Sequence, residues 1–181
     1  MRGRRNEEGM ADAKIFATLT YEETVRKYAD MVTRVCVMRC GNVEDAKDCF
    51  QNVFLKLYLS DKQFESEEHL KAWLLTVAIH QCQDMVKQFW KRNITLSGDS
   101  SELDLKQVNV ENETDSEVLS EVLSLPVKYR QVLYLYYYEE YDVAGVASIL
   151  QLKEATVKSQ LQRGRCLLKR KLGGVADEAI I

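Results

Sequence analysis

The sequence predicts an all-α protein: two small helical domains joined by an acidic flexible linker, the second containing a helix-turn-helix. Three observations carry this reading. Among 181 residues there are one proline, Pro126, and eight glycines, so helix breakers are scarce. Apolar residues recur at helical spacing through residues 19–93 and again through 116–174. Between them, residues 94–115 hold six acids against the single base Lys106, and the periodicity is lost. Residues 1–18 and 175–181 read as tails, with Met10 a second candidate start. Each half is small but long enough to fold by itself.

The elements follow in order. A first helix starts near Thr20, where Thr20 and Glu23 have capping-box spacing. Val25, Tyr28, Ala29, Val32, Val35 and Cys36 continue it, and Gly41 suits its left-handed end. A second helix is expected over 43–59, with Ala46, Phe50, Val53, Phe54 and Leu57 inward. A polar loop covers 60–68. A third helix is expected over 69–92, with Leu70, Trp73, Leu74, Val77 and Ala78 on one face. After the linker, "SEVLSEVLSL" is a short helix. Pro126 fits the first turn of the next, which carries Tyr129, Val132, Leu133, Leu135 and Tyr136. Asp142 is a good N-cap for a short helix over 143–150. A last helix ends at Gly173-Gly174.

"DVAGVASILQLKEATVKSQLQRGR" has helix-turn-helix spacing. Val143, Val146, Ala147 and Leu150 form the inward face of the first helix, Leu152 plugs the turn, and Val157 and Leu161 are inward on the second. At 100° per residue, Ala155, Lys158, Ser159, Gln162 and Arg163 fall on or beside the solvent side. Gln pairs with adenine, and Arg or Lys with guanine, in the major groove. A solvated basic helix end that complements the helix dipole is the plainer reading, and it suits Lys169 to Lys171 equally well. Two residues depart from the motif. Gln151 stands where glycine adopts a left-handed conformation without strain, here on the order of 1 kcal/mol. Lys153 stands where Ser or Thr would cap the second helix.

On these residues the chain resembles a known family. "LPVKYRQVLYLYYYEEYDVAGVASILQLKEATVKSQLQRGRCLLKRKL" resembles region 4 of the extracytoplasmic-function (group IV) sigma factors of the bacterial sigma-70 family. Its LP-x-KYR-x-VL and TVKS-x-L-x-R-x-R elements occur in the family's order and spacing. "GNVEDAKDCFQNVFLKLY" resembles region 2.2, and "HLKAWLLTVAIHQCQDMVKQFWKR" resembles regions 2.3 and 2.4. The resemblance spans residues 20–172. It implies an RNA polymerase sigma factor that binds the clamp helices and flap tip of core polymerase, recognises −10 and −35 promoter elements, and is held by an anti-sigma factor. It implies −35 contacts by Thr156, Lys158, Ser159, Gln162, Arg163 and Arg165. It implies −10 contacts by Phe64, Lys71, His80, Lys87, Lys91 and Arg92, with loop 60–68 helping receive a flipped base. Asp45, Asp48, Gln51 and Asn52 would face core polymerase. Trp73 is tempting as a stacking platform, but its spacing with Leu70, Leu74 and Val77 assigns it to the core. The acidic linker would thread the channel of nascent RNA. Departures from the family pattern are Asn52 for glutamate, Ile79-His80 for Arg-Asn, and Gln88 and Phe89 where arginines are common.

Other function classes are constrained. No nucleophile–base pair, metal-ligand set or phosphate-cradling glycine loop is legible, so neither an enzyme nor a cofactor is expected. Five cysteines form no CxxC pair and read as reduced thiols acting as small hydrophobes. No apolar run approaches the roughly 18 residues of a membrane span, and the start lacks a signal-peptide core; no stable membrane insertion and a cytoplasmic location are expected. The net charge of −3 means that only local basic patches can displace counterions from DNA. Two alternatives stay open: an autonomous helix-turn-helix regulator, which would bind an operator without polymerase, and a degenerate sigma-like interaction module, which would bind core polymerase without initiating.

Overall fold

The computed structural model describes residues 14–16, 19–40, 43–94 and 121–172. The two tails, Gly41, nearly all of the acidic linker and Gly173-Gly174 lie outside them, with the expectations attached to each. A short antiparallel pair, β1 (Lys14–Phe16) and β2 (Leu19–Thr20), precedes the helices. Helix α1 (Tyr21–Cys40) then starts on the expected capping box. Glu23 Oε2 accepts from the Thr20 N–H at 2.9 Å, and Thr20 Oγ1 accepts from the Glu23 N–H at 3.3 Å.

Helices α2 (Val43–Leu59) and α3 (Glu67–Ile94) pack on α1 as a three-helix domain. The start of α3 precedes the expected one because Ser66 caps it: its Oγ accepts from the His69 N–H at 3.1 Å. Val32, Val53, Leu70 and Leu74, one or two from each helix, are fully buried and form the centre of this core.

Residues 121–123 are helical, and Pro126 stands just before α4 (Val127–Leu133) rather than inside its first turn. Its carbonyl accepts from Tyr129 and Arg130 N–H at 2.8 and 3.2 Å. The helix does not run on regularly. It widens into a π-helical turn, Tyr134–Tyr138, where the Tyr134 and Tyr138 rings stack at 5.2 Å. Burial raises the Tyr134 pKa, and so does the 2.5 Å hydrogen bond its hydroxyl donates to Glu139 Oε1.

The helix-turn-helix follows as α5 (Val143–Leu150) and α6 (Glu154–Lys171). Asp142 Oδ1 accepts from the Gly145 N–H at 2.7 Å, the expected cap. The turn is left-handed at Gln151, φ 53 and ψ 44. The Leu152 N–H reaches back to the Ala147 carbonyl at 2.9 Å, closing α5 with a Schellman-type bond. Val146, Ala147, Val157 and Leu161 are buried at the crossing. Gly164 lets α6 approach α4: a Cβ there would lie 3.1 Å from Leu133 Cδ1.

The two domains pack on one another, α1 against α4 and α3 against α5. Lys71 Nζ pairs with Glu139 Oε2 at 2.8 Å, and the Glu139 side chain is only 6% exposed. Arg39 hydrogen-bonds Gln131, and the Arg34 guanidinium lies over the Tyr138 ring at 5.0 Å.

Candidate nucleic-acid interface

The exposed side of α6 is built by its buried side. Val157, Leu161, Gly164 and Leu168 are buried at i, i+4, i+7 and i+11. That stripe forces Lys158, Ser159, Gln162 and Arg163 outward, and all four are exposed. Thr156 is half-buried, its carbonyl accepting from Ser159 Oγ at 2.9 Å. Arg165 turns to one edge of the helix, where its guanidinium lies 5.8 and 5.5 Å from the Tyr136 and Tyr137 ring centres. Lys153 provides no side-chain cap to α6. The Thr156 and Val157 N–H groups bond the Lys153 carbonyl at 2.9 and 3.1 Å, and no side chain covers the end of the helix, the kind of helix end that can receive phosphate. A concavity of about 440 Å³ beside Tyr129 is lined by Gln162, Arg163, Cys166, Leu167 and Arg170.

The α3 candidates divide. The Phe64 ring, expected to meet a flipped base, is buried, 5% exposed, and held edge-on by His69 and Trp73 at 5.5 and 5.4 Å. In this conformation Phe64 packs beneath loop 60–66 and offers no open face. Lys71, also expected on DNA, is engaged by Glu139 of the second domain. His80 is half-buried and Lys87 exposed, 3.8 Å from Asp84. Lys91 and Arg92 lie on the last turns of α3, and their side chains fall outside the described ones. Trp73, read as core, is half-buried, with Lys62 Nζ 5.9 Å from its ring centre. At 100° per residue, Trp73, His80 and Lys87 share one side of α3 within about 40°.

On α2, Asp48, Gln51 and Asn52 are exposed and Asp45 half-buried. Sequence reasoning missed two neighbours. Leu55 and Leu59 are 52% and 69% exposed and continue the same stripe. The signal was available: both lie at i+3 or i+4 multiples from Asp48 and Asn52, opposite buried Val53 and Leu57. The stripe is thus polar along its first turns and apolar at its C-terminal end, a mixture that protein interfaces use.

A helix-turn-helix with a basic exposed helix, tied to a three-helix domain with an apolar–acidic stripe, defines a DNA-binding protein with a second macromolecular surface. The family comparisons name the class. The Sigma-70 region 2 model matches residues 24–92, and the Sigma-70 region 4 model matches residues 116–168. The chain is 30% identical over 166 residues to the ECF RNA polymerase sigma factor SigM of Bacillus subtilis (strain 168), covering 88% of this chain and 100% of that one. It is 25% identical over 165 residues to the ECF RNA polymerase sigma factor SigW of the same organism, covering 84% and 88%. Its fold is similar to that of the sigma factor RpoE from Bartonella quintana, solved in complex with the anti-sigma factor NepR. There the TM-score is 0.70 and the identity 16%, over 87% of this chain and 98% of that one. The chain belongs to the ECF sigma factors of the sigma-70 family: it is an RNA polymerase sigma factor and not an enzyme. Among the described residues, no helix is long and apolar enough to cross a membrane.

Proposed function

We propose that the chain directs core RNA polymerase to promoters from the cytoplasm, with residues 19–93 serving core binding and the −10 element and residues 116–174 the −35 element. The observation that carries this reading is the outward set Lys158, Ser159, Gln162 and Arg163 on a helix whose opposite side is fully buried. Gln162 and Arg163 have the donor geometry for base edges, while Lys158, Thr156 and the uncapped first turn of α6 suit phosphates. Arg165, stacked on tyrosines, positions the edge of this face. Asp45, Asp48, Gln51 and Asn52, now with Leu55 and Leu59, form the core-polymerase surface. His80, Lys87, Lys91 and Arg92 take the −10 strand, with Trp73 and Lys62 added as stacking and charge. Lys71 joins them once the domains part.

RpoE of Bartonella quintana is held by an anti-sigma factor, and the same class of partner fits this chain. Its two domains already lie together, so a protein that binds both would stabilise this form. The test is transcription in vitro with purified core polymerase on a selected promoter. Arg163→Ala should lower initiation about tenfold or more, consistent with 1–3 kcal/mol for a base contact, while core binding is retained. Equal loss of core binding would sink the assignment of Arg163 to DNA. Tight DNA binding without core would favour an autonomous regulator, and core binding without initiation a degenerate module.

A further inference from the structure

Four of the five cysteines, separate in the sequence, converge inside the first domain. Cys36 and Cys40 are one turn apart on α1, Cys49 is on α2 and Cys82 is on α3. The Sγ atoms of Cys40, Cys49 and Cys82 all lie within 4.8 Å of one another, with Cys40 and Cys49 at 3.6 Å. Cys36 is buried one turn of α1 before Cys40, beside this group. Cys36, Cys49 and Cys82 are 0% exposed, whereas Cys40 is half-buried and gives the cluster a side open toward solvent.

We propose that this cluster is a binding site for a soft d10 metal ion, Zn²⁺, with Cys40, Cys49 and Cys82 as thiolate ligands and Cys36 as the fourth. Zinc–sulfur bonds of about 2.3 Å in a tetrahedron place sulfurs roughly 3.8 Å apart. The Cys40, Cys49 and Cys82 sulfurs reach that spacing with movements of about 1 Å or less, and Cys36, which lies outside this close group, must swing further to close the tetrahedron. A disulfide demands about 2.05 Å and uses only two of the four thiols. Cys49 is already the hub. Its Sγ lies 3.6 Å from Cys40 Sγ and within 4.8 Å of Cys82 Sγ.

A second observation is electrostatic. Arg39, half-buried, directly precedes Cys40 on α1, and the buried Arg130 sits on α4, which packs against α1. Arg130 is 1% exposed, and its Nε and Nη2 have no hydrogen-bond partner. Among the described residues neither guanidinium has a carboxylate in ion-pair range. A buried unpaired cation is costly. A zinc ion with four thiolates carries two net negative charges and supplies the missing counter-charge. Binding converts four thiols to thiolates and releases four protons to solvent, with no change in oxidation state. The ion would join all three helices of the domain that carries the core-binding stripe.

The test uses the full chain, reduced, treated with chelator and kept anaerobic, then titrated with Co²⁺ and Zn²⁺. The expected result is one ion per chain, intense thiolate–cobalt charge-transfer absorption, its displacement by Zn²⁺, and a Tm rise on the order of 10 °C when zinc exceeds Kd a thousandfold. Cys49→Ser and Cys82→Ser should each weaken binding at least a hundredfold, and Cys166→Ser, an exposed cysteine outside the cluster, should leave it unchanged. If a core variant fails to fold, protection of Cys40, the half-buried member, from alkylation by Zn²⁺ in the native chain reports instead. No thiolate–cobalt band with thiols verified as reduced, or alkylation unaffected by zinc, overturns the proposal. So does a chain that loses two hydrogens to a Cys40–Cys49 disulfide and binds no metal in either form.

Discussion

At the residue scale, single side chains set local stability in ways that can be reversed. Gln151 occupies a left-handed position that costs a non-glycine residue on the order of 1 kcal/mol. Gln151→Gly should therefore stabilise the chain by about 0.5–1 kcal/mol, after allowing for the greater freedom of glycine in the unfolded state. Differential scanning calorimetry should record a Tm rise of roughly 1–4 °C. Lys153→Ser should add a cap to α6 and a rise of similar size; it also occupies the anion-facing first turn, so DNA affinity is a second readout. Glu67 gives a pH test. Lys27 and then the Tyr28 hydroxyl donate to its carboxylate, holding its pKa below 4.5. A lowered acid pKa contributes stability above the unfolded value that is lost as pH falls through the folded one. The urea midpoint of Glu67→Gln should thus lie below that of the native chain at pH 7, and the gap should shrink below pH 4.5. A gap that stays constant down to pH 3.5 would remove the ionised Glu67 from the account.

At the element scale, the helices were legible where the signal is local. The Thr20–Glu23 box, the Asp142 cap and the Val146, Val157 and Leu161 spacing are read within a few residues, and each is found in place. The π-helical turn was not legible, because Tyr134, Leu135 and Tyr136 satisfy a regular α pattern equally well. The turn is marked by the Glu139 N–H reaching back five residues to the Tyr134 carbonyl at 3.1 Å, a bond that apolar spacing does not signal. The thiol cluster was hidden for a similar reason: its members come from three helices, and only packing joins them. Leu55 and Leu59 were overlooked because an apolar residue on an apolar-rich helix does not announce which side it faces. The element contacts are testable. Gly164→Val would push branched carbons into Leu133 at the α4–α6 contact and should cost about 1–3 kcal/mol by denaturant unfolding. Leu55→Asp with Leu59→Asp should leave the fold intact by circular dichroism and weaken core polymerase binding at least tenfold, as expected for apolar anchors of an interface. Undiminished binding would move the core contact off α2.

At the scale of the whole molecule, the main departure from a string of two independent domains is their mutual packing. Lys71 and Glu139 are separated by 68 positions, so no local pattern could pair them. The nearly buried Glu139 carboxylate makes the pair worth something on the order of 1–3 kcal/mol, because its loss leaves an acceptor unsatisfied. Glu139→Gln keeps the shape and removes the charge. It should shift the population toward separated domains, seen as a larger radius of gyration in small-angle scattering and a faster association with core polymerase. An unchanged radius would mean that the apolar contacts of α1 with α4 hold the pair together by themselves.

The ion pair between Lys71 and Glu139 also bears on order of events. On the proposed reading, Lys71 is needed at the −10 strand, yet one ammonium cannot hold both the carboxylate and a phosphate at full strength. A stray copy of the protein that collides with chromosomal DNA is therefore muted: it reaches the duplex with part of its reading apparatus already occupied. On that reading release comes from whatever pulls the domains apart, and a core polymerase that binds each domain at its own point would do so before the promoter is engaged. The pair works as an interlock, ensuring that the sequence is read only after the machine that can act on it has arrived.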